Sequence, residues 1–260
     1  MDLGLHGKVA AITGGSEGIG RAVAYRLAAE GARVAVCARR QDVLEEAASA
    51  IAKATGAEVL PVVADVTGAA DCERFVRTTV ERFGSLEILV NNAGRSAAAP
   101  FSQVTEDDWR SDLELKLFGA IRCCQLALPH MLQRGWGRIV NITHVGGKQP
   151  GPASLPTSVS RAAGIALTKA LSKDYAAHGI TVNTVCVGRI KSGQWERRWR
   201  ERFAHLPIEE YYRQQAAGIP MGRFGEAEEV ADLVAFLVSE RAGYITGASV
   251  NIDGGVSGVV

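Results

Sequence analysis

The stretch "ITGGSEGIGRAVAYRLAAEGARVAVCARR", residues 12–40, decides the fold. A β-branched run ends at Thr13, and Gly14, Gly18 and Gly20 follow before a pattern of helical period begins. Glycines let a backbone turn tightly and approach a pyrophosphate, and the N-terminus of the next helix offers it free N–H groups. A second strand follows in register, so the stretch predicts a β-α-β unit with a dinucleotide phosphate loop. The alternative is a glycine-rich turn that holds no ligand.

The end of the second predicted strand bears on which dinucleotide would bind. An acidic residue at this point would bind the ribose 2′-hydroxyl of NAD. The chain has Arg39 and Arg40 instead, whose guanidinium groups can hold a 2′-phosphate through bidentate, charge-assisted hydrogen bonds. This favours NADP(H) over NAD(H). Glu17, inside the loop, weighs against a phosphate nearby, and two solvated arginines are the alternative.

The rest of the chain repeats the alternation of strand and helix. Short β-branched runs predict strands at 8–13, 33–38, 58–63, 86–91, 138–143, 180–186 and 249–253. Helical periodicity occupies 18–30, 41–55, 69–83, 105–134, 157–178 and 226–239. Strict alternation predicts an α/β fold, a Rossmann-type doubly wound parallel sheet of about seven strands with helices on both faces. With no linker visible, residues 1–260 form one predicted domain, and the irregular segment 188–225 is a predicted substrate lid.

Composition narrows the classes of partner. The net charge is +1, with 29 basic and 28 acidic residues, which gives no reason to expect nucleic acid or a membrane surface. The five cysteines show no C-x-x-C or Cys/His metal spacing, so we expect reduced thiols, no metal site and a cytoplasmic location. Neither a signal peptide nor an uncharged run of membrane-spanning length is apparent.

Six motifs together suggest a family: "TGGSEGIG" (13–20), "ADV" (64–66), "NNAG" (91–94), "GRIVNIT" (137–143), "GITVNTV" (179–185) and "YITGASVNIDGG" (244–255). In this combination the chain resembles the short-chain dehydrogenase/reductase family, in the spacing of its 3-oxoacyl carrier-protein reductase-like members. The resemblance implies an NAD(P)-dependent oxidoreductase with a small-molecule substrate. It also implies a homotetramer or homodimer built on helices 105–134 and 157–178, in which an exposed "LALPHML" (126–132) would be buried.

The resemblance also implies a set of cofactor contacts. Asp65 and Val66 would contact the adenine, Asn91 would brace the central sheet, and Ile190 would lie near the nicotinamide carboxamide. The full expected set is Gly14, Ser16, Glu17, Gly18, Ile19, Gly20, Arg39, Arg40, Asp65, Val66, Asn91, Ala93, Gly94, Arg161, Gly188 and Ile190.

The catalytic positions depart from the family pattern. Where the family uses Asn, Ser, Tyr and Lys, this chain has Lys116, His144, Thr157 and Arg161. Thr157 cannot replace a tyrosine as an acid, because the pKa of an aliphatic hydroxyl is far above that of a phenol, and Ser158 and Ser160 have the same limitation. Arg161 keeps a positive charge that can hold ribose hydroxyls, but it does not deprotonate.

His144 is the nearby side chain whose ordinary pKa suits proton transfer near neutral pH. One hypothesis makes it the acid/base at the substrate oxygen, and the other makes it a hydrogen-bonding partner of the loop backbone.

Two further features bear on the substrate. Lys116, Lys148, Arg161, Arg189 and Lys191 would cluster at one pocket and favour an anionic ligand, unless the loop cations are solvated and Lys116 extends out to solvent. An aromatic stripe in the lid, Trp195, Trp199 and Phe203, would face a ring-bearing or acyl substrate.

Three hypotheses about activity stay open. The chain is an NADP(H)-dependent oxidoreductase of a carbonyl/alcohol pair with His144 as acid/base, or a catalytically inactive relative that serves as a nucleotide-binding, regulatory or structural subunit. The third is a lyase or isomerase that uses His144 and Lys116 on the same scaffold.

Overall fold

Seven parallel strands form one sheet in the computed structural model, which describes residues 1–260. The strands are β1 (Val9–Thr13), β2 (Arg33–Ala38), β3 (Val59–Val63), β4 (Ile88–Asn91), β5 (Gly137–His144), β6 (Ile180–Val187) and β7 (Ser249–Ile252). Their order is β3-β2-β1-β4-β5-β6-β7. All seven predicted strands are confirmed, and so is the doubly wound fold class.

Helices cover both faces of the sheet. They are α1 (Gly18–Ala29), α2 (Gln41–Thr55), α3 (Ala69–Phe83), α4 (Glu106–Leu113), α5 (Gly119–Arg134), α6 (Thr157–Tyr175), α7 (Gly193–Arg202), α8 (Ile208–Gln215) and α9 (Ala227–Leu237). No helix has both the length and the apolar character needed to cross a membrane. All five cysteines are buried free thiols.

Two apolar layers hold the helices against the sheet. On one face 26 buried residues come mainly from α1, α2, α9 and the strands beneath them. On the other face 21 buried residues come mainly from α3, α5 and the strands. Strands buried on both faces explain why their sequences are apolar almost without interruption.

The predicted helix 105–134 is interrupted at its centre. A turn of π-helix, Glu114–Phe118, joins α4 to α5, and Lys116 lies within it. The expectation that 126–132 is an exposed apolar surface is wrong for three of its seven residues. Ala127, Leu128 and Met131 are buried against the sheet and α3, because the helical period places them on the inner face, and Leu132 is exposed.

The predicted lid contains two short helices, α7 and α8. Its aromatic stripe has different partners from those expected. Trp195 packs edge-on against Phe224 with ring centroids 4.9 Å apart, and Phe203 lies 5.1 Å from Tyr211. Trp195 and Phe203 therefore pack against aromatic side chains of the lid itself, which lets the two short helices bury part of their apolar faces.

Candidate active site and nucleotide loop

The glycine loop lies where the strand order reverses, between β1 and β4. Open α/β sheets bind ligands at such a switch point, outside the carboxyl ends of the strands. Gly14 and Gly18 have φ of +68° and +53°, which other residues rarely adopt. A Cβ on Gly20 would lie 2.2 Å from the Gly14 carbonyl oxygen, so only glycine permits this packing of the helix against the loop.

The first turn of α1 keeps its backbone donors free of side-chain caps. Glu17 is the N-cap residue, in extended conformation, and its side chain makes no capping hydrogen bond. N–H groups at a helix N-terminus, together with the positive end of the helix dipole, suit a pyrophosphate. Ser16, Gly18, Ile19 and Gly20 lie in this loop and first turn, so the residues present fit a dinucleotide.

Asn92 holds the glycine loop in place, which sequence reasoning missed. Its Nδ2 donates to the carbonyl oxygens of Thr13 and Gly14, at 3.0 and 3.1 Å. The Thr13 hydroxyl in turn accepts the N–H groups of Asn92 and Ala93, both at 3.0 Å. The "NNAG" motif therefore fixes the loop as well as lining the crevice, and its doubled asparagine was the available signal.

Asn91 braces the sheet, as predicted. Its Nδ2 donates to Asn141 Oδ1 at 2.8 Å, across the β4–β5 pair. Asn141 Nδ2 in turn donates to the Thr168 hydroxyl on α6 at 2.8 Å. The Thr168 hydroxyl also accepts from the Thr184 hydroxyl at 2.7 Å. A buried polar chain thus ties β4, β5 and β6 to α6.

Each of the two arginines after β2 faces a carboxylate. Arg40 Nη2 donates to Glu17 Oε2, which unites the end of β2 with the glycine loop. Arg39 Nη1 lies 3.9 Å from Asp65 Oδ2, and the Arg39 side chain is 72% exposed. The structure therefore brings the predicted adenosine contacts together, with both guanidinium groups open to solvent.

A cleft opens beside this loop. Its walls come from the ends of β1, β4 and β5, the π-turn and start of α5, and α6. Among the predicted site residues it is lined by Val66, Asn91, Ala93, Lys116 and Arg161.

Lys116 is buried in this cleft rather than extended to solvent. Its side chain and that of Asp112 are each 1% exposed, and Lys116 Nζ donates to Asp112 Oδ1. Lys116 Nζ also lies 3.0 Å from Thr157 Oγ1, and the Ser160 hydroxyl donates to Asp112 Oδ2 at 2.6 Å. Burial, with the positive charge of Arg161, lowers the pKa of Lys116 to about 8 although Asp112 opposes the shift.

Arg161 extends from α6 across the end of β5. Its Nη1 donates to the Ile142 carbonyl at 2.8 Å, and its Nη2 approaches Gly94, where an added Cβ would lie 2.9 Å away. Its Nε is buried with no hydrogen-bond partner. An orphaned guanidinium N–H in a cleft is a donor that a ligand hydroxyl can satisfy.

His144, the last residue of β5, makes the loop hydrogen bond that one hypothesis predicted. Its Nδ1 accepts the Gly146 N–H at 2.9 Å. This bond leaves Nε2 as the protonated nitrogen of the neutral ring. Burial lowers the pKa of His144, and the charges of Arg161, Lys116 and Arg189 lower it further, so the ring is neutral at pH 7.

Three of the five expected pocket cations are bound elsewhere. Lys148 Nζ donates to the Ser249 carbonyl at 2.6 Å, Arg189 Nη1 to the Gln215 carbonyl, and Lys191 Nζ to Glu226. Because each has a nearer acceptor in a neighbouring loop, only Lys116 and Arg161 of the set line the cleft.

The remaining predicted cofactor residues lie after β6. Gly188 packs against Asp253, where a Cβ would come within 2.6 Å of its Cα. Ile190 is buried and pairs with Gly225 through an isolated parallel bridge, at the wall of a second cleft. Their contact with a nicotinamide stays a prediction.

Two residues of the cleft network escaped sequence reasoning. Asp112 precedes Lys116 by four residues, a spacing typical of exposed helical ion pairs. Ser160 was considered only for its hydroxyl acidity, whereas in the structure it anchors Asp112. The spacing of Asp112 was a usable signal, but nothing local indicated that the pair is buried.

Known proteins match this chain over nearly its whole length. A family model described as enoyl-(acyl carrier protein) reductase matches residues 14–257. A 3-oxoacyl-[acyl-carrier-protein] reductase from Synechocystis sp. is 35% identical over 253 residues, covering 97% of this chain and 98% of that protein. The chain belongs to the short-chain dehydrogenase/reductase family.

Solved structures of short-chain dehydrogenases/reductases superpose closely on this chain. L-sorbose reductase from Gluconobacter frateurii, complexed with NADPH and L-sorbose, has a TM-score of 0.96 at 33% identity over the full length of both chains. A short-chain oxidoreductase from Pseudomonas aeruginosa, described as containing an atypical catalytic center, has a TM-score of 0.94 at 34% identity. That alignment covers 99% of this chain and 100% of the other.

Proposed function

We propose that this chain is an NADP(H)-dependent oxidoreductase of a carbonyl/alcohol pair with a non-standard active site. Lys116, His144, Thr157 and Arg161 stand where the family carries Asn, Ser, Tyr and Lys. The observation that carries the proposal is the open phosphate loop beside a cleft in which Arg161 keeps a buried, unpartnered Nε. A family relative described as having an atypical catalytic center supports a changed active site within this fold.

The cofactor preference rests on Arg39 and Arg40, which would hold the 2′-phosphate. Both lie at the end of β2 with exposed guanidinium groups, and the L-sorbose reductase relative was solved with NADPH. Bound NADPH supplies the hydride that reduces the carbonyl carbon. Arg161 would donate to ribose hydroxyls, taking the place of the family lysine as a permanent cation.

His144 would act at the substrate oxygen through Nε2. Since the ring is neutral at pH 7 and Nδ1 is occupied by Gly146, Nε2–H is a hydrogen-bond donor that polarises the carbonyl. In the proposal, His144 therefore acts as a hydrogen-bond donor instead of the acid/base predicted from the sequence.

The substrate would be a small carbonyl compound that the lid covers. The relatives named above are a 3-oxoacyl-[acyl-carrier-protein] reductase and an L-sorbose reductase, so a 3-oxoacyl thioester and a keto sugar are the two classes to test. Exposed Phe118 and Val159, on the segments expected to form a subunit interface, support a homo-oligomer, which light scattering tests.

The test of the function has two stages. Calorimetry measures NADPH and NADH binding, and NADPH absorbance then follows turnover with acetoacetyl-CoA and with L-sorbose. We expect tighter binding of NADPH and turnover with one of the two carbonyls. His144→Ala should lower kcat by on the order of 10²-fold with NADPH affinity retained, while His144→Gln, which keeps an N–H donor, should lose less.

Each contrary outcome has a distinct meaning. Failure of both nucleotides to bind overturns the proposal. NADPH binding without turnover favours the inactive relative, and conversion of substrate without a change in cofactor absorbance favours a lyase or isomerase. Unchanged turnover in His144→Ala removes that residue from the mechanism.

A further inference from the structure

The buried pair of Lys116 and Asp112 has a half-buried neighbour, Thr157, at the start of α6. Lys116 Nζ donates to Asp112 on one side and lies 3.0 Å from Thr157 Oγ1 on another. Ser160 fixes the second oxygen of Asp112, so the carboxylate is held by two donors. Because the side chains of Lys116 and Asp112 are each 1% exposed whereas Thr157 is half-buried, Thr157 is the hydrogen-bond partner of Lys116 that is open to solvent.

Thr157 receives two hydrogen bonds and retains its own proton. Its Oγ1 accepts from Lys116 Nζ and from the Ala97 N–H, each at 3.0 Å. A hydroxyl has two acceptor lone pairs and one O–H donor, so both lone pairs are used and the proton is free for a third partner. This is the arrangement of a relay, with a cation behind the hydroxyl and a free O–H in front.

We propose that Lys116 supplies, through the Thr157 hydroxyl, the proton that the substrate oxygen takes up when the carbonyl is reduced. The inference rests on the proposed function, in which the carbonyl carbon receives the hydride. As the substrate O–H bond forms, the Thr157 O–H bond breaks. A new Thr157 O–H bond forms as a Lys116 N–H bond breaks, leaving a neutral amine that regains its proton from water after the product leaves.

The relay removes the objection that threonine is too weak an acid. Thr157 gives one proton while it accepts another, so it never carries a full negative charge. The energetically relevant acid is Lys116, whose pKa of about 8 is close to the operating pH that general acid catalysis favours. His144, neutral at pH 7, is the poorer acid there.

The charged groups that face Lys116 determine whether a given substitution raises or lowers the pKa of its ammonium group. Asp112 on α4 raises its pKa, whereas Arg161 on α6 and Arg95 in the loop after β4 lower it. His144 at the end of β5 is also within electrostatic reach, and it is neutral at pH 7. Removing the Asp112 charge therefore lowers the pKa of Lys116, and replacing the amine by a guanidinium removes titration near pH 8.

The activity test measures kcat against pH for reduction of acetoacetyl-CoA or L-sorbose at saturating NADPH. Wild type should lose kcat as pH rises through about 8. Asp112→Asn should move this fall to lower pH, and Lys116→Arg, which keeps the charge, should remove it and lower kcat by on the order of 10²-fold. The control is Lys173→Arg on the exposed side of α6, which should not move the profile.

The hydroxyl is tested by a matched pair. Thr157→Val keeps the shape and removes the O–H, so kcat should fall by on the order of 10²-fold with the NADPH Kd unchanged. Thr157→Ser restores the hydroxyl and should restore the fall of kcat near pH 8. A purely structural role of Thr157 would give a valine variant with a normal pH profile and normal kcat.

A second readout needs neither cofactor nor turnover. In protein labelled with ¹³C-lysine, the ¹³Cε signal that disappears in Lys116→Arg should titrate near pH 8, and at lower pH in Asp112→Asn. A fall in kcat that survives in Lys116→Arg, or a Lys116 signal that titrates near the ordinary value of 10.5, overturns the relay and leaves the proposed function standing. Absence of turnover by wild type with both carbonyls overturns the proposed function instead.

Discussion

Replacing Glu17 by glutamine should tighten NADPH binding more than NADH binding. In the structure Glu17 accepts from Arg40, one of the two arginines proposed to hold the 2′-phosphate. The side chains of Arg40 and Glu17 are 58% and 52% exposed, so their pairing is a solvent-screened one. A phosphate must therefore compete with Glu17 for Arg40 and also sit near a like charge.

The expected gain in NADPH affinity follows from two contributions, the loss of the ion pair between Arg40 and Glu17 and the repulsion between Glu17 and the phosphate. An exposed ion pair stabilises by about 0.2–1 kcal/mol, which the phosphate forfeits when it takes Arg40 from Glu17. A phosphate of charge near −2 that binds the other edge of the Arg40 guanidinium would lie on the order of 7 Å from the Glu17 carboxylate. At that separation the repulsion would be roughly 1.2 kcal/mol in water, and salt screening would reduce it to about 0.5 kcal/mol. The sum is about 0.7–1.5 kcal/mol, or about three- to tenfold in Kd.

The assay is titration calorimetry with NADPH and NADH on wild type and Glu17→Gln. The matched control is Glu81→Gln, which removes one exposed, arginine-paired carboxylate from α3. The ratio of NADPH to NADH affinity should rise in Glu17→Gln alone, and raising the salt concentration should shrink the difference. An unchanged ratio, or equal tightening of both nucleotides, would refute the assignment of Arg40 to the 2′-phosphate.

Two further changes test the scaffold of the site. Gly20→Ala places a Cβ 2.2 Å from the Gly14 oxygen, so we expect NADPH affinity to fall more than tenfold in calorimetry; wild-type affinity would mean that the loop adapts freely. Thr168→Val leaves the Asn141 amide and the Thr184 hydroxyl without their shared buried partner. It should lower the free energy of unfolding by about 1–3 kcal/mol in urea denaturation, and a change below about 0.5 kcal/mol would contradict this role.

Periodicity alone was enough for the fold. The predicted helices 41–55 and 69–83 coincide with α2 and α3, and every predicted strand lies within two residues of the observed one. This succeeds because strands buried on both faces and amphipathic helices carry their pattern locally. The bounds differ most in 105–134, where a π-turn interrupts a pattern that reads as one helix.

The hydrogen-bond partners of charged side chains could not be predicted from the periodicity of the sequence. Lys116 was expected either at the pocket or extended to solvent, and its burial with Asp112 depends on α6, whose Thr157 and Ser160 close over the pair. Lys148 was predicted to be a cation of the pocket, but its ammonium group donates instead to a backbone carbonyl of β7. Such choices depend on which loop packs beside each side chain, and no local pattern records that.

In the proposed active site, ligand binding and proton supply are assigned to two different residues, Arg161 and Lys116. Arg161 cannot deprotonate, so it provides a constant positive charge for holding a ligand. Lys116 lies in the field of that charge, and the field, together with burial, brings its pKa toward neutral pH. Burial, together with the same field, lowers the pKa of His144 and keeps its ring neutral at pH 7. A fixed cation therefore favours the two proposed roles, Lys116 as proton source and neutral His144 as hydrogen-bond donor, so the proposed substitution of the four catalytic positions as a set is chemically coherent.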